Sequence, residues 1–168
     1  MERDGSLGPW ITSRLVPKIL LATQTRVIEA LVDADGVYLP STPVISVLPR
    51  DPRDLWRLAA ALASPVCAAL AMHRHAGTAL SPDAIKLAAR QVLALPLPAD
   101  ADAWQAAADL FRDAHHARTD PDRTALLLQM GQAACAAYRV PASSAEELMR
   151  WWGDRLTQPN RRATERGH

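Results

Sequence analysis

Aromatic side chains are scarce in this sequence, with five Trp, two Tyr and one Phe making up 5% of the 168 residues. Its apolar share of 49% is therefore carried mainly by small and aliphatic residues. Much of it is alanine, which points to closely packed helices. Cysteine is equally rare. Cys67 and Cys135 lie in alanine-rich apolar runs and form no CxxC or other ligand spacing, which excludes a disulfide framework and a zinc motif. Both read as packed small hydrophobes in a reducing setting. The seven glycines are scattered, and none builds GxGxxG or GxxxxGK[ST], so no phosphate-cradling loop is expected. No apolar run approaches the ~20 residues of a membrane helix. The opening MERDGSLGPW is too polar for a signal peptide, so a cytoplasmic protein, neither secreted nor membrane-spanning, is expected. An excess of charge is missing too. With a net charge of +1, no global field draws the molecule to DNA or to an anionic membrane, and any nucleic-acid surface must be a local patch.

Catalytic signatures are also lacking. The histidines are His73, His75, His115, His116 and His168, and none stands at a metal-ligand spacing such as HExxH. The first four sit at expected helix ends, where a cation offsets exposed carbonyls. Ser41, Ser64, Ser81 and Ser143 occupy cap or turn positions, and there is no GxSxG nucleophile elbow. An enzyme acting by itself is not expected.

What is present divides into two halves. Residues 18–23 and 26–32, rich in Ile, Leu and Val, read as strands. Asp33-Ala34-Asp35-Gly36 is turn chemistry, which predicts that residues 37–39 return beside 26–32 as a hairpin. Residues 44–48, between Pro43 and Pro49, form a further strand. At Asp51-Pro52 the pattern changes to helix, with Leu55, Leu58, Leu62 and Val66 recurring at helical spacing. Ser64-Pro65 starts a second helix to about His75, ended by Gly77-Thr78. Ser81-Pro82 precedes a short segment at 85–89. Residues 92–97 read as strand or extended chain because Pro96 and Pro98 disrupt a helix. Helices are then expected over 102–116, over 121–138 with Asp120 as cap, and over 144–156 with a capping box at Ser143 to Glu147. The expected class is α+β: short N-terminal strands and a hairpin, then a mostly helical C-terminal half. One domain over 9–157 is expected, with a mixed part at 9–98, a helical part at 102–157 and a flexible tail at 158–168.

Several short stretches resemble a known family. Pro17-Lys18-Ile19-Leu20, Thr23-Gln24-Thr25-Arg26, Tyr38-Leu39-Pro40 and Val44-Ile45-Ser46-Val47-Leu48-Pro49 are similar to the opening of the C-terminal target-recognition region of adenine-specific DNA methyltransferases of the restriction-modification type. Leu55-Trp56-Arg57-Leu58-Ala59-Ala60-Ala61-Leu62, Ser64-Pro65 and Gly77-Thr78-Ala79-Leu80-Ser81 resemble the helical segment that follows there, and Ile85-Lys86-Leu87 with Leu95-Pro96-Leu97-Pro98 resembles its end. The likeness covers roughly residues 9–118. The family's catalytic Asn-Pro-Pro-aromatic motif and its S-adenosylmethionine motif are absent from this sequence. The resemblance thus implies a detached recognition part, a subunit or a remnant, that grips double-stranded DNA while a methyltransferase catalytic partner binds S-adenosylmethionine and flips the adenine.

Such a role needs basic and amide side chains on one surface, since phosphates supply affinity and base edges supply selectivity. Lys18, Gln24, Thr25 and Arg26 form one candidate set, in which Gln suits adenine and Arg suits guanine. The same residues also fit ordinary exposed turn positions. Arg74, Thr78, Lys86, Arg90 and Gln91 form a second set, with Lys86 and Arg90 at helical spacing on one face. A solvated helix face also accounts for them. Residues 102–157 carry Asp at their helix starts and are expected to avoid phosphate. Neighbouring Trp151 and Trp152 point about 100° apart on a helix, so one ring is expected to be exposed for a partner. The alternative reading is a protein-interaction module that docks through these C-terminal helices without binding DNA.

Overall fold

The structure is a computed structural model that describes residues 7–75 and 84–157. It is α+β, with a small antiparallel sheet of short N-terminal strands followed by a mostly helical half. A short helix, α1 (Leu7–Thr12), leads into β1 (Lys18–Ala22), β2 (Gln24–Thr25), β3 (Ala30–Asp33) and β4 (Val44–Val47). β1 is central in the order β3-β1-β4 and antiparallel to both neighbours. Register assigns the faces, because residues directly opposite share a side. Ile19 faces Val32 and Val47, and Leu21 faces Ala30 and Ile45. This face belongs to the core; Lys18 and Asp33 share the other.

The strand expected over 26–32 is broken. Its first residues turn so that Val27 and Ile28 are buried, and only Ala30–Asp33 pairs with β1. The hairpin expected at 37–39 does not form either. Gly36 does take the positive φ that the turn chemistry requires, at 66°, yet the chain beyond it runs as a loop. The reason is Asp33, whose carboxylate accepts the amides of Val37 at 2.9 Å and Tyr38 at 3.0 Å and so folds the loop back over the strand end. An added Cβ at Gly36 would lie 2.6 Å from the Val16 carbonyl carbon.

The helical half begins as the sequence indicates. Asp51 accepts the amide of Arg53 at 2.9 Å and opens a 3-10 turn, Pro52–Asp54, that runs into α2 (Leu55–Ala63). α3 (Pro65–His75) follows with a 55° bend. Ser64 sits in the break, buried, and its hydroxyl caps α3 by accepting the amide of Cys67 at 3.1 Å. β5 (Ile85–Lys86) comes next and pairs with β2. The stretch expected to be extended over 92–97 instead opens in a helical turn, since α4 covers Ala89–Leu93 before the prolines end it. Lys86 and Arg90 therefore share no helix face, one being on a strand and the other in α4.

Three longer helices complete the chain: α5 (Ala101–His116), α6 (Asp120–Ala137) and α7 (Ala142–Thr157). Asp100 caps α5 through Ala103, and Thr119 rather than Asp120 caps α6 through Asp122. α5 and α6 lie along one another, α2 packs on α5, and α7 closes on α6 and α3. One apolar cluster joins Ile19 and Leu21 of the sheet, Leu55 and Leu62 of α2, Phe111 of α5 and Trp152 of α7. Alanines such as Ala59, Ala60, Ala68 and Ala108, all fully buried, let the helices approach closely. The two rings part, Trp152 being buried, but Trp151 is half-buried rather than exposed, with Arg155 stacked on it at 4.8 Å. Among the described residues no single helix is long and apolar enough to cross a membrane.

Candidate nucleic-acid interface

Two candidate stretches that are distant in the chain meet in space. β2 and β5 form a separate two-stranded antiparallel ribbon in which Gln24 lies opposite Lys86 and Thr25 opposite Ile85. The amide of Leu87 extends it by donating to the Thr23 carbonyl at 2.9 Å. Alternation along the ribbon does the sorting. Ile85 and Leu87 are buried and anchor β5, which leaves the Lys86 ammonium and the Gln24 amide exposed side by side.

The neighbouring residues extend this surface unequally. Arg74, exposed at the end of α3, donates to the Ala94 carbonyl at 3.2 Å and clips α3 to the end of α4. Arg90 is exposed on α4 itself. Gln91 is half-buried, and its side-chain oxygen accepts the Ala88 amide at 2.7 Å, so it caps α4. Thr25 is half-buried, with its hydroxyl donating to the Val27 carbonyl, and Arg26 is half-buried and already engaged. Thr78 lies outside the described residues. The exposed polar set that remains is Gln24, Arg74, Lys86 and Arg90.

Lys18 does not belong to it. The side chain is 1% exposed, its ammonium lies 2.5 Å from an oxygen of Asp33, and it donates a second bond to the Val16 carbonyl at 3.1 Å. Burial alone would raise the Asp33 carboxyl, but the Lys18 bond and the amides of Tyr38 and Val37 outweigh it and hold the group below its ordinary value. A lysine committed to this cluster has no reach to phosphate. Asp33, read from the sequence as a turn residue, is thus the hub of a buried polar cluster.

Local charge supports a basic patch. From Ser64 to Ala99 the chain carries one acidic residue, Asp83, against Arg74, Lys86 and Arg90. Over 100–157 the balance reverses, with nine acidic residues and six arginines. The near-neutral total therefore hides a division along the chain. The Gln24, Arg74, Lys86 and Arg90 side chains can donate hydrogen bonds to phosphates and base edges. Among the described residues the large exposed apolar side chains lie outside α5–α7 and include Leu31, Val37, Tyr38, Leu39 and Leu48. Comparison of the chain with protein-family models, with curated proteins and with solved structures gives no match.

Proposed function

We propose that this chain is a noncatalytic DNA-recognition module that works, in the cytoplasm, with the catalytic part of an adenine-specific DNA methyltransferase or restriction-modification system. The observation that carries the reading is the β2–β5 ribbon, which sets Gln24 beside Lys86 on an exposed surface of a protein with almost no net charge. Support comes also from the short stretches at 17–49 and 55–98 that resemble the recognition region of those enzymes. Lys86, Arg74 and Arg90 contact phosphates, and Gln24 supplies an amide able to pair with an adenine edge. A two-stranded ribbon is also of a size that the major groove admits. S-adenosylmethionine and the chemistry belong to the partner.

The test is fluorescence anisotropy of a labelled random-sequence duplex titrated with the purified chain at low and at near-physiological salt. Affinity that falls steeply with salt is expected, because each neutralised phosphate contributes about 0.9 to the logarithmic slope. No binding at low salt would overturn a DNA-gripping role for the isolated chain.

A second reading, docking on a protein partner without DNA, draws on the exposed Val37, Tyr38, Leu39 and Leu48 beside the sheet. Clusters of that kind mark protein contacts. It predicts no salt-sensitive DNA affinity and a stable complex with a catalytic subunit.

A further inference from the structure

An apolar cavity of about 380 Å³ opens between the approach to β3 and helices α5, α6 and α7. Val27, Ile28, Phe111, Leu127 and Leu156 form much of its wall, and Ala63 and Ala114 close it. The volume falls in the range of small-molecule sites, roughly 300–1,000 Å³, where an apolar wall carries a few convergent polar groups.

Three ionisable side chains reach this cavity: Glu29, His115 and Arg123. Two of them are already committed. Arg123 donates to Asp120 at 2.8 Å and to the Ala117 carbonyl at 3.2 Å, so its charge is met on the α6 side. His115 packs edge-on against Trp56 at 5.3 Å, and burial, then His116 and Arg123, push its pKa down, which keeps the ring neutral at neutral pH. Glu29 is different. Its carboxylate makes no hydrogen bond or ion pair with any of the described residues, and partial burial pushes it above the ordinary value, a sign of poor compensation where it stands. A carboxylate at the mouth of an apolar cavity is complemented by a cation that carries an apolar body.

We infer that this cavity is a binding site for a small hydrophobic amine, its apolar part against Phe111, Leu127 and Leu156 and its ammonium paired with Glu29. Its lining includes none of Gln24, Arg74, Lys86 and Arg90, and the inference stands whether or not those residues bind DNA. The size of the cavity suits a single-ring arylalkylamine better than a peptide. The Glu29 carboxylate selects a cationic head and the apolar wall contributes most of the affinity.

Phenethylamine and 3-phenylpropionate, matched in size and opposite in charge, are the probes, titrated separately into the full chain with methyl groups observed by NMR. The amine is expected to shift the methyls of Leu127, Leu156 and Ala114 and to bind about fivefold tighter than the acid, the scale of one partly exposed ion pair. Glu29→Gln, a change at an exposed position, should erase that preference without loss of fold, and Glu29→Lys should reverse it. Equal or tighter binding of the acid by the natural chain would overturn the inference. So would the absence of shifts at saturating amine, or shifts confined to methyls outside the cavity.

Discussion

Lys18 and Asp33 face each other across β1 and β3, 1% and 2% exposed, and Asp33 holds the following loop by accepting hydrogen bonds from the amides of Val37 and Tyr38. A buried pair of this kind is a weak source of net stability but a strong constraint, because removing one partner strands the other charge. Lys18→Met and Asp33→Leu are each expected to destabilise the chain by about 3–5 kcal/mol in urea unfolding. Asp33→Leu should be the worse, since it also orphans the Val37 and Tyr38 amides. The double variant should be more stable than either single one.

The same pair sets a dependence on acid. The folded Asp33 carboxyl lies below its ordinary value, so its contribution is complete above the unfolded-state pKa of about 3.9 and is lost as pH falls through the lower folded value. Urea midpoints measured from neutral pH into the acid range should fall with decreasing pH. In Lys18→Met the main cation opposing desolvation is gone, and this acid-side loss should shrink.

Gly36 is irreplaceable for two reasons that act together. Its φ of 66° is disfavoured for an L side chain, and a Cβ there would meet the Val16 backbone at 2.6 Å. Gly36→Ala is expected to cost more than about 1 kcal/mol in denaturant unfolding and to loosen the loop that Asp33 holds. Amide hydrogen exchange at Val37 and Tyr38 should rise before that of β1.

The basic residues should divide into two groups. Lys86→Ala and Arg90→Ala should weaken duplex binding and lower the logarithmic salt slope by about 0.9 for each phosphate no longer neutralised, with the thermal midpoint unchanged. Lys18→Ala should lower the thermal midpoint, and any effect on DNA should follow from unfolding. Gln24→Ala should alter preference among sequences more than overall affinity. Anisotropy and thermal unfolding on the same samples separate these outcomes.

Cys67 is fully buried, its sulfur 3.2 Å from the Tyr138 hydroxyl, which itself donates to the Pro96 carbonyl at 2.8 Å. Burial pushes both Cys67 and Cys135 above the ordinary thiol value. Neither should react with a thiol reagent in the native state, and both should react in denaturant. Tyr138→Phe removes the link to the Pro96 carbonyl and is expected to cost about 1 kcal/mol, read from urea unfolding.

Features set within a few residues were readable from the chain alone. Asp51-Pro52 and Ser64-Pro65 announce helix starts because capping is a local hydrogen bond, and the structure has each of them in that role. The positive φ of Gly36, the strand at Val44–Val47 and the parting of Trp151 from Trp152 were legible for the same reason. Whatever depends on partners far along the chain was settled by folding. Strands of two residues leave almost no periodic trace, so nothing local shows that Gln24 meets Lys86 or that Arg74 reaches Ala94. Lys18, a lysine in an apolar strand, has the same sequence signature whether it reaches for phosphate or is buried in an ion pair; only the register that sets Asp33 opposite it settles which, because a buried ammonium must have its counter-charge at hand.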